Sequence, residues 1–488
     1  MSLESHFRKF RDQIIGIDQT FTTPYGEKNL IYADWTASGR LYEPLEQKML
    51  REFGPFVANT HTETSTTGAA MTLAYHKART IIKEHVNANA DDVLITEGSG
   101  MTGVVNKFQR ILGLKVSENL KEHTEIPQEK RPIVFVSHME HHSNQTSWYE
   151  TIADVEVVPC NAAGLVCLDA FEETIKKYQD RPIKIASVIA GSNVTGIKTD
   201  YHKIASLIHK YNGLCFVDFA CSAPYVDIDM HPAQEDAYLD AIFFSPHKFL
   251  GGPGSSGVLL FNKKLYKNTI PDNPGGGTVT YTNPWGEHDY IDDVETREDG
   301  GTPAFLQTIR IALAMQVKDQ MGTELMKRRE DEINKVFFDC LEGLKGVRIL
   351  APQHKDRLSI FSFYFERYHF NLVVKLLNDR FGIQTRGGCS CAGTYGHFLL
   401  NVDQMTSHKI KDQIQEGCST EKPGWVRLSV HPTIIDAEVQ FICESLEALA
   451  ANIEVWSKEY RYNPIKNDYE HLEVEAPEKG LVASWFAV

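Results

Sequence analysis

Short apolar runs alternate with amphipathic helical patterns between residues 91 and 261, and this alternation constrains the fold more than any other feature. The runs are rich in Val, Ile and Phe and nearly continuous in apolarity, as strands buried on both faces are. Amphipathic patterns over Leu168–Tyr178 and Tyr201–Tyr211 lie between some of them. The alternation predicts a mainly parallel sheet that binds ligands beyond the carboxyl ends of its strands. The predicted strands are Asp92–Thr96, Pro132–Ser137, Val155–Pro159, Ile183–Gly191, Leu214–Phe219, Ala241–Ser245 and Gly257–Phe261.

A second, smaller α/β region is predicted after Gly300. Segment 268–301, rich in Gly, Pro and Asn, is expected to bridge the two regions. We predict a large ligand-binding domain (28–300), a small C-terminal domain (301–459), an N-terminal segment that packs with the small domain (1–27) and a C-terminal extension (460–488). The predicted elements of the second region are helices Pro303–Leu344, Asn371–Phe381 and Asp436–Trp456 and strands Leu358–Phe365 and Trp425–Val430.

Composition narrows the class of protein. The 488 residues are 42% hydrophobic, as in an ordinary globular chain, and the net charge of −15 argues against nucleic acid or an anionic membrane as partner. No apolar run approaches bilayer length, and the charged N-terminus lacks the apolar core of a signal peptide, so we expect a cytoplasmic protein. Nine scattered cysteines, an odd number, suit reduced thiols.

Lys248 lies where an apolar run meets a glycine-rich turn. Segment Ser245–Gly257 is flanked by the apolar runs Asp240–Phe244 and Val258–Phe261. A Schiff-base lysine requires such surroundings, because it must be desolvated enough to lose its proton and must meet a cofactor aldehyde. The alternative is an ordinary lysine in a polar loop.

A glycine-rich turn, Glu97–Gly103, follows the first predicted strand and opens a helix. Glycines let backbone N–H groups approach a phosphate, and the N-terminus of a helix favours an anion. A plain strand–helix turn is the alternative. The candidate phosphate ligands are Ser99, Gly100, Met101 and Thr102.

Two other strand ends carry polar side chains. Asp218 ends a buried strand, where a carboxylate is costly unless it is paired. His138, His141 and His142 follow another strand, and by spacing alone they are either metal ligands or ordinary solvated histidines. No cysteine or carboxylate nearby completes an obvious zinc pattern, so we predict no metal.

Taken together, four segments resemble class V aminotransferases, the family of pyridoxal-phosphate (PLP) enzymes that contains cysteine desulfurases and selenocysteine lyases. The resemblance covers roughly residues 28–450. It implies the α/β fold of the PLP-dependent aspartate-aminotransferase type (fold type I), with a large, mainly parallel sheet domain and a smaller C-terminal α/β domain. It also implies PLP as cofactor. The four segments are Ser137–Asn144 with its Glu-His-His-Ser-Asn pattern, Val217–Ser222, Ser245–Gly257 and Thr385–Ala392.

The resemblance assigns roles around the cofactor. Lys248 would form the Schiff base and move the α-proton, and His141 would stack on the ring and assist proton transfer. Asp218 would bind the pyridine nitrogen. Cys221 replaces the glutamine that usually contacts the phenolic oxygen, which leaves the tuning of the cofactor open. The remaining cofactor positions are Asn193, beside the phenolic oxygen, Ser245 and His247, on the phosphate, and Thr302, which would reach the phosphate of a partner subunit.

The resemblance to desulfurases rests on Thr385–Ala392. Arg386, Gly388, Cys391 and Ala392 match the segment that carries the nucleophilic cysteine, so Cys391 would attack the substrate sulfur and become a persulfide. Cys389 stands where the usual desulfurase has histidine. Buried small cysteines, or two ligands of a metal site, are the alternatives.

Three residues are assigned to the substrate. Arg427, in Trp425–Ser429, would bind the substrate carboxylate, with Arg386 nearby. His61, in Asn59–Glu63, matches a family histidine, although Thr62 replaces the usual arginine beside it.

The resulting prediction is a cysteine desulfurase-like enzyme that removes sulfur or selenium from cysteine or a relative through an enzyme persulfide. The alternatives are a C–S lyase on a larger thioether or sulfoxide, an aminotransferase, and a non-catalytic sulfur carrier or scaffold. The expected partners are a small amino-acid substrate and a second copy of the chain in a homodimer with shared sites. A sulfur-acceptor protein is left open, and neither nucleic acid nor membrane is expected.

Overall fold

The computed structural model describes residues 2–60, 62–417, 422–474 and 478–486. The chain divides into two units. The sheet unit comprises Ala37–Ser192 and Lys198–Thr323, and the terminal unit comprises Met1–Thr36, Asn193–Ile197 and Glu324–Val488. The units therefore part at residue 323, whereas the sequence predicted a boundary at residue 300.

Strands in the described residues are numbered in chain order. They are β1 (Thr20–Thr23), β2 (Gly26–Asn29), β3 (Ile31–Tyr32), β4 (Asp92–Glu97), β5 (Ile133–Ser137), β6 (Asp154–Val158), β7 (Lys184–Ile189), β8 (Leu214–Asp218), β9 (Ala241–Phe244), β10 (Gly257–Asn262), β11 (Val279–Thr282), β12 (His288–Tyr290), β13 (Val347–Ile349), β14 (Ile360–Phe365), β15 (Ile383–Gln384), β16 (Arg386–Gly388), β17 (Trp425–Ser429), β18 (Tyr460–Asn463) and β19 (Asp468–His471).

The α-helices are numbered in the same way. They are α1 (Leu3–Arg11), α2 (Glu43–Lys48), α3 (Thr66–His85), α4 (Met101–Ile111), α5 (His142–Tyr149), α6 (Leu168–Lys177), α7 (Tyr201–His209), α8 (Val294–Glu298), α9 (Phe305–Met321), α10 (Thr323–Gly343), α11 (Phe370–Phe381), α12 (Gly393–Leu399), α13 (Gln404–Gln415), α14 (Asp436–Trp456) and α15 (Glu478–Trp485).

A seven-stranded sheet organises the sheet unit, in the order β4-β10-β9-β8-β7-β5-β6. Neighbouring strands from β9 to β6 are parallel, and β10 is antiparallel to both of its neighbours. Each of the seven predicted apolar runs forms one strand of this sheet. Apolar side chains cover its faces; for example, the ring of Phe108 on α4 lies 5.0 Å from those of Phe216 and Phe261. The predicted mainly parallel α/β sheet is confirmed.

The directions of the strands determine which strand ends, and which of the loops that follow them, lie at the same edge of the sheet. The parallel strands end together, since Ile189 of β7 lies beside Asp218 of β8, which lies beside Phe243 of β9. Because β10 runs opposite to both β9 and β4, the end of β4 reaches the same edge, with Glu97 opposite Gly257. The turn that follows β4 therefore shares an edge of the sheet with the loops that follow β5, β8 and β9.

A four-stranded sheet, in the order β13-β14-β17-β16, forms the centre of the terminal unit. Helices α10, α11 and α14 pack around it through apolar residues such as Phe337, Leu376 and Leu446. The N-terminal segment belongs to this unit: Arg11 donates to Glu438 over 2.6 Å, and the Asp436 amide donates to Glu4. Predicted helix Asp436–Trp456 matches α14 at both ends.

Two predictions about elements were incomplete. The single helix predicted over Pro303–Leu344 is wrong, because Gly322 with φ +78° ends α9 and a new helix, α10, starts at Thr323. Weak periodicity after residue 460 concealed a hairpin, β18 paired with β19.

Residues 193–197, which we call the strap, follow β7 in the sequence but lie in the terminal unit. The Val194 carbonyl accepts from Ser362 Oγ over 2.6 Å, and the Gly196 carbonyl accepts from the Leu358 amide over 3.0 Å. A Cβ on Gly196 would lie 2.5 Å from the Leu358 carbonyl oxygen, so only glycine allows this close approach.

The glycine turn after Lys248 should be equally intolerant of a side chain. A Cβ on Gly252 would lie 1.9 Å from the Pro246 carbonyl oxygen, so Gly252→Ala must move the backbone beside Lys248. We expect Gly252→Ala to destabilise the protein by about 3 kcal/mol or more, measured by thermal unfolding. Gly276→Ala is the matched control, because its Cβ would meet no described atom within 4 Å. Equal unfolding midpoints for the two variants would contradict the close approach.

Candidate active site

Asp218, the last residue of β8, is a fully buried carboxylate at the shared edge of the sheet. Its Oδ1 accepts from the Ala220 amide over 2.7 Å. Its Oδ2 is buried and has no hydrogen-bond partner among the described residues. Burial raises the pKa of Asp218 to about 6, although the Ala220 hydrogen bond and the charge of Lys248 oppose this shift.

The turn after β4 forms a cradle with the loop after β9. Gly100 has φ +150° and ψ 177°, a conformation essentially restricted to glycine. A Cβ on Gly100 would lie 3.4 Å from Ser245 Oγ and 3.9 Å from the ring of His247. The amide of Met101, the first residue of α4, donates to Ser245 Oγ over 2.9 Å. The predicted phosphate residues Gly100, Met101, Ser245 and His247 therefore lie together.

The other two candidates on this turn, Ser99 and Thr102, are exposed in the chain. Thr102 Oγ1 lies 2.6 Å from Ser143 Oγ, which joins the first turn of α4 to that of α5. The cradle is thereby tied to the helix that begins beside His141.

Lys248 ends a 3₁₀ turn, Pro246–Lys248, and is half-buried. Burial, and then the positive charge of Lys248, lower the pKa of His247 to about 4, so this imidazole is neutral at pH 7. The Gly39 amide donates to the His247 carbonyl over 2.9 Å. A Cβ on Gly39 would lie 2.0 Å from the Phe249 carbonyl oxygen, so Gly39 supports the lysine turn from its other side.

His141 is the N-cap residue of α5. Its Nδ1 accepts from the Ser143 amide over 3.1 Å, so the neutral imidazole carries its proton on Nε2. His138 is buried, with Nε2 3.0 Å from the Gly164 carbonyl, and burial lowers its pKa. His142 is half-buried at the start of the helix. Within the described ranges no three His, Cys, Asp or Glu side chains are grouped as metal ligands.

Glu140 is a buried residue of this loop that sequence reasoning missed. Its Oε1 accepts from Ser137 Oγ over 2.6 Å and from the Ile189 amide over 2.9 Å, and its Oε2 accepts from Asn144 over 2.7 Å. Burial raises its pKa to about 8, with a smaller contribution from the charge of Asp218. Glu140 therefore fixes the loop that carries His141. The sequence signal that could have revealed Glu140 is an acidic residue between an apolar strand and a helix.

Cys221 has a different partner from the glutamine that it replaces in the resemblance. Its Sγ donates to the Gly191 carbonyl over 3.1 Å, and the residue is buried. A thiol is a weak donor, so this contact contributes little energy.

In the terminal unit, Arg427 of β17 is buried in a chain of polar contacts. Its Nη2 donates to Asp34 over 2.6 Å, and its Nη1 donates to the backbone carbonyl of Asn193 in the strap over 3.2 Å. The Nε atom is buried and has no hydrogen-bond partner among the described residues. Asp34 was not recognised from the sequence. Arg386 lies opposite Arg427 across the strand pair and is exposed.

Cys391 lies on a tight turn that follows β16. Ser390 and Cys391 have φ +52° and +56°, and the Ala392 amide donates to the Cys389 carbonyl over 3.0 Å. These features define a type I′ turn, which normally requires residues such as Asn and Gly at its two central positions. Asn193 Nδ2 donates to the Ser390 carbonyl over 2.7 Å and holds the turn to the strap.

The predicted site residues thus form two groups, one in each unit. Lys248, His141, Asp218 and Cys221 belong to the sheet unit with the phosphate cradle, and Thr302, also there, is exposed. Asn193, Arg386, Cys391 and Arg427 belong to the terminal unit. His61 lies outside the described residues.

Comparison with known proteins identifies the family. The sequence model of the family described as aminotransferase class-V matches residues 31–441. The chain belongs to the class V aminotransferases. A probable cysteine desulfurase of Staphylococcus aureus is 26% identical over 371 residues, 75% of this chain and 84% of that protein. Another, from Halalkalibacterium halodurans, is 27% identical over 372 residues, 74% of this chain and 84% of that protein.

Solved structures show the same fold. The apo cysteine desulfurase of Thermococcus onnurineus NA1 has a TM-score of 0.71 at 20% identity, covering 91% of this chain and 98% of that one. A cysteine desulfurase of Escherichia coli has a TM-score of 0.71 at 22% identity, covering 92% and 98%. The predicted family and fold type are confirmed. No described helix is long and apolar enough to cross a membrane.

Class V aminotransferases, cysteine desulfurases included, are PLP-dependent, and the sheet unit fits that cofactor. The buried Oδ2 of Asp218 accepts no hydrogen bond from the described residues. It can therefore accept one from a cationic N–H donor such as a protonated pyridine nitrogen. The Gly100 cradle combines an amide, a hydroxyl and a neutral imidazole, which suit a phosphate. Lys248 follows on the same loop.

The raised pKa of Asp218 predicts a pH-dependent stability. A carboxyl whose pKa rises from 3.8 to about 6 on folding stabilises the fold below pH 3.8 and loses this contribution as the pH rises to about 6. Relative to wild type, cofactor-free Asp218→Asn should gain about 2 kcal/mol of unfolding free energy between about pH 4.5 and pH 7. Denaturant titrations at each pH measure this difference. Asp180→Asn, at an exposed carboxylate, is the control, and a flat difference for Asp218→Asn would contradict the assignment.

Proposed function

We propose that this class V aminotransferase relative is a PLP-dependent desulfurase that takes sulfur or selenium from cysteine or a related amino acid onto Cys391. The observation that carries the proposal is the backbone of the Cys391 turn. A residue with a side chain in the left-handed region costs roughly 1–2 kcal/mol, and two such residues are adjacent here. A glycine at either position would remove that cost. A cysteine at a position with this backbone cost supports a role for its thiol.

The names of the relatives support the same reaction, since the compared proteins from Staphylococcus and Halalkalibacterium are called probable cysteine desulfurases. The segment Arg386–Ala392 keeps the arginine, glycine and cysteine that the resemblance requires. Cys391 is half-buried, which leaves part of its surface open to a reactant.

Each of the predicted cofactor residues has a defined task in this proposal. PLP, when bound, withdraws electrons from the substrate α-carbon. Lys248 would remove the α-proton, Asp218 would hold a positively charged pyridine nitrogen, and His141 would present its Nε2 proton. Ser245 Oγ and the Met101 amide would hold the phosphate, and Cys221 and Asn193 would take the remaining cofactor positions.

Two of the three proposed substrate residues, Arg386 and Arg427, belong to the terminal unit. We propose that Arg386 and Arg427 recognise the substrate carboxylate, with His61 as the third substrate residue. Arg427 is already held by Asp34, so it acts as a fixed part of the site, while the exposed Arg386 supplies an adjustable donor. The homodimer, the contribution of Thr302 to a partner subunit, a sulfur-acceptor protein and the cytoplasmic location stay predictions. The exposure of Thr302 supports its contribution to a partner subunit.

Lys248 should be the residue that binds PLP covalently. Borohydride treatment of the PLP-loaded wild type should attach the cofactor to a Lys248 peptide, which mass spectrometry identifies. Lys248→Ala should lose this attachment and its activity, because Lys248 is the only lysine in the loop between β9 and β10. Lys264→Ala, at an exposed lysine, is the matched control. Attachment to another lysine in Lys248→Ala would overturn the assignment.

Cys391→Ser should distinguish desulfuration from the alternatives. With PLP and cysteine, wild type should release alanine and one equivalent of sulfur, either bound to the protein or free as sulfide, while the serine variant should retain the visible absorption of PLP and form neither product. Cys167→Ser, at a half-buried cysteine of the sheet unit, should behave as wild type. Release of pyruvate and ammonia, or an amino-group exchange that survives in Cys391→Ser, would favour the lyase or the aminotransferase.

A further inference from the structure

A second thiol shares the turn that carries Cys391. Cys389 is the first residue of this type I′ turn and Cys391 is the third, and the Ala392 amide closes it on the Cys389 carbonyl over 3.0 Å. Both cysteines are half-buried, and none of the eight described cysteines is in a disulfide. The turn therefore presents two accessible thiols separated by one residue.

The backbone between these thiols is held in place. Ser390 is 7% exposed, and its carbonyl accepts from Asn193 Nδ2 over 2.7 Å. Asn193 is itself held through its own carbonyl by Arg427 Nη1. Because these contacts resist relaxation of the positive φ angles, the distance between the two cysteines stays short.

Chain geometry places the Cα atoms of Cys389 and Cys391 at a separation that a disulfide can bridge. Residues two positions apart lie at most about 7 Å apart at Cα in a fully extended chain. The left-handed conformation of Ser390, with φ +52°, shortens this separation. It thereby falls within the range of disulfide-bonded cysteines, roughly 4.4–6.8 Å.

We propose that Cys389 resolves the persulfide on Cys391 and releases inorganic sulfide, so that this chain discharges its sulfur without an acceptor protein. The inference rests on the proposed function, which supplies the persulfide. The Cys389 thiolate attacks Cys391 Sγ, a Cys389–Cys391 disulfide forms, the bond to the terminal sulfur breaks, and that sulfur leaves with the electron pair as hydrosulfide. Two equivalents of a small thiol, or one of a dithiol, then reduce the disulfide and become oxidised.

Attack on Cys391 Sγ is favoured over attack on the terminal sulfur of the persulfide. The terminal sulfur would lie about 2 Å beyond Cys391 Sγ and would swing with rotation about the Cβ–Sγ bond, whereas Cys391 Sγ lies one bond from the Cβ of a residue whose backbone the turn holds. Attack on Sγ also expels hydrosulfide, a small and well-hydrated leaving group. The rate of thiol–disulfide exchange depends on both the leaving group and which sulfur is attacked.

A single-turnover experiment tests this step. PLP-loaded protein, reduced and then freed of reductant, receives one equivalent of L-cysteine, and alanine, free sulfide and the mass of the Cys389–Cys391 peptide are measured. Wild type should release alanine and sulfide together, and its peptide should lose the mass of two hydrogen atoms. Cys389→Ser should release alanine but at least about tenfold less sulfide, and its peptide should gain the mass of one sulfur atom until a thiol is added.

The outcomes distinguish failure of the resolving role of Cys389 from failure of the proposed desulfuration. If alanine forms but wild type retains the extra sulfur, or Cys389→Ser releases sulfide as fast as wild type, the resolving role is wrong and desulfuration stands. If no alanine forms, the proposed function fails and the inference fails with it. Cys389→Ala is the second variant, and PLP absorption verifies that each variant is folded and loaded. Cys167→Ser is the control for oxidation at another thiol.

Discussion

A buried carboxylate with an unfilled hydrogen-bonding position is the constraint on which the sheet unit depends. Asp218 ends a strand that is flanked on both sides by apolar strands, and its Oδ2 has no described partner. Burying an ionised carboxylate without a cation is expensive, so the group becomes easier to protonate, as its raised pKa of about 6 shows. A cationic ligand removes this cost. The end of β8 therefore favours a cationic hydrogen-bond donor beside Asp218.

Glu140 is a second buried carboxyl near the same edge of the sheet, and Asp218 contributes to the rise in its pKa. Its hydrogen bonds to Ser137, Asn144 and Ile189 join the end of β5, the start of α5 and the end of β7. The loop that carries His141 is thus built on a carboxyl that water cannot reach. Burial makes each of these carboxyls costly to ionise, so hydrogen-bond donors or a cation at this edge of the sheet stabilise their charged forms.

The sequence predicted the sheet well because its signal is local. Runs such as Phe243–Phe244 and Leu259–Leu260 are apolar without interruption, which is the mark of strands buried on both faces. Gly322 escaped attention because the apolar pattern continues through it, and only a positive φ ends the helix there. The strap could not be predicted, since its membership of the terminal unit depends on contacts with residues such as Leu358 and Ser362, more than a hundred positions away.

The site residues likewise divide into those that local sequence reveals and those that depend on distant contacts. Lys248, Asp218 and Cys391 stand out because each is chemically unusual beside its neighbours in the sequence. Asp34 and Glu140 are ordinary acidic residues until the fold buries them against Arg427 and the β5–α5 loop. Long-range partners give these residues their roles, and no spacing within the sequence encodes those partners.

The polar chain Asp34–Arg427–Asn193–Ser390 explains how a strained turn persists in the terminal unit. A buried ion pair adds little net stability, because desolvation of both charges offsets their attraction. Its geometry is nevertheless demanding, and here each member fixes the next: Asp34 orients the guanidinium, the guanidinium holds the strap carbonyl, and the Asn193 amide holds the carbonyl that precedes Cys391. Through these contacts, the ion pair between Asp34 and Arg427 helps to hold the backbone of the Cys391 turn in place. Two of the three departures from the family pattern, Cys389 for histidine and Cys221 for glutamine, introduce a thiol, and one of these thiols lies on the turn that this chain holds. Under the proposed desulfuration, the turn that this polar chain holds is therefore the place where the chain differs from the family pattern by a thiol that can take part in sulfur transfer.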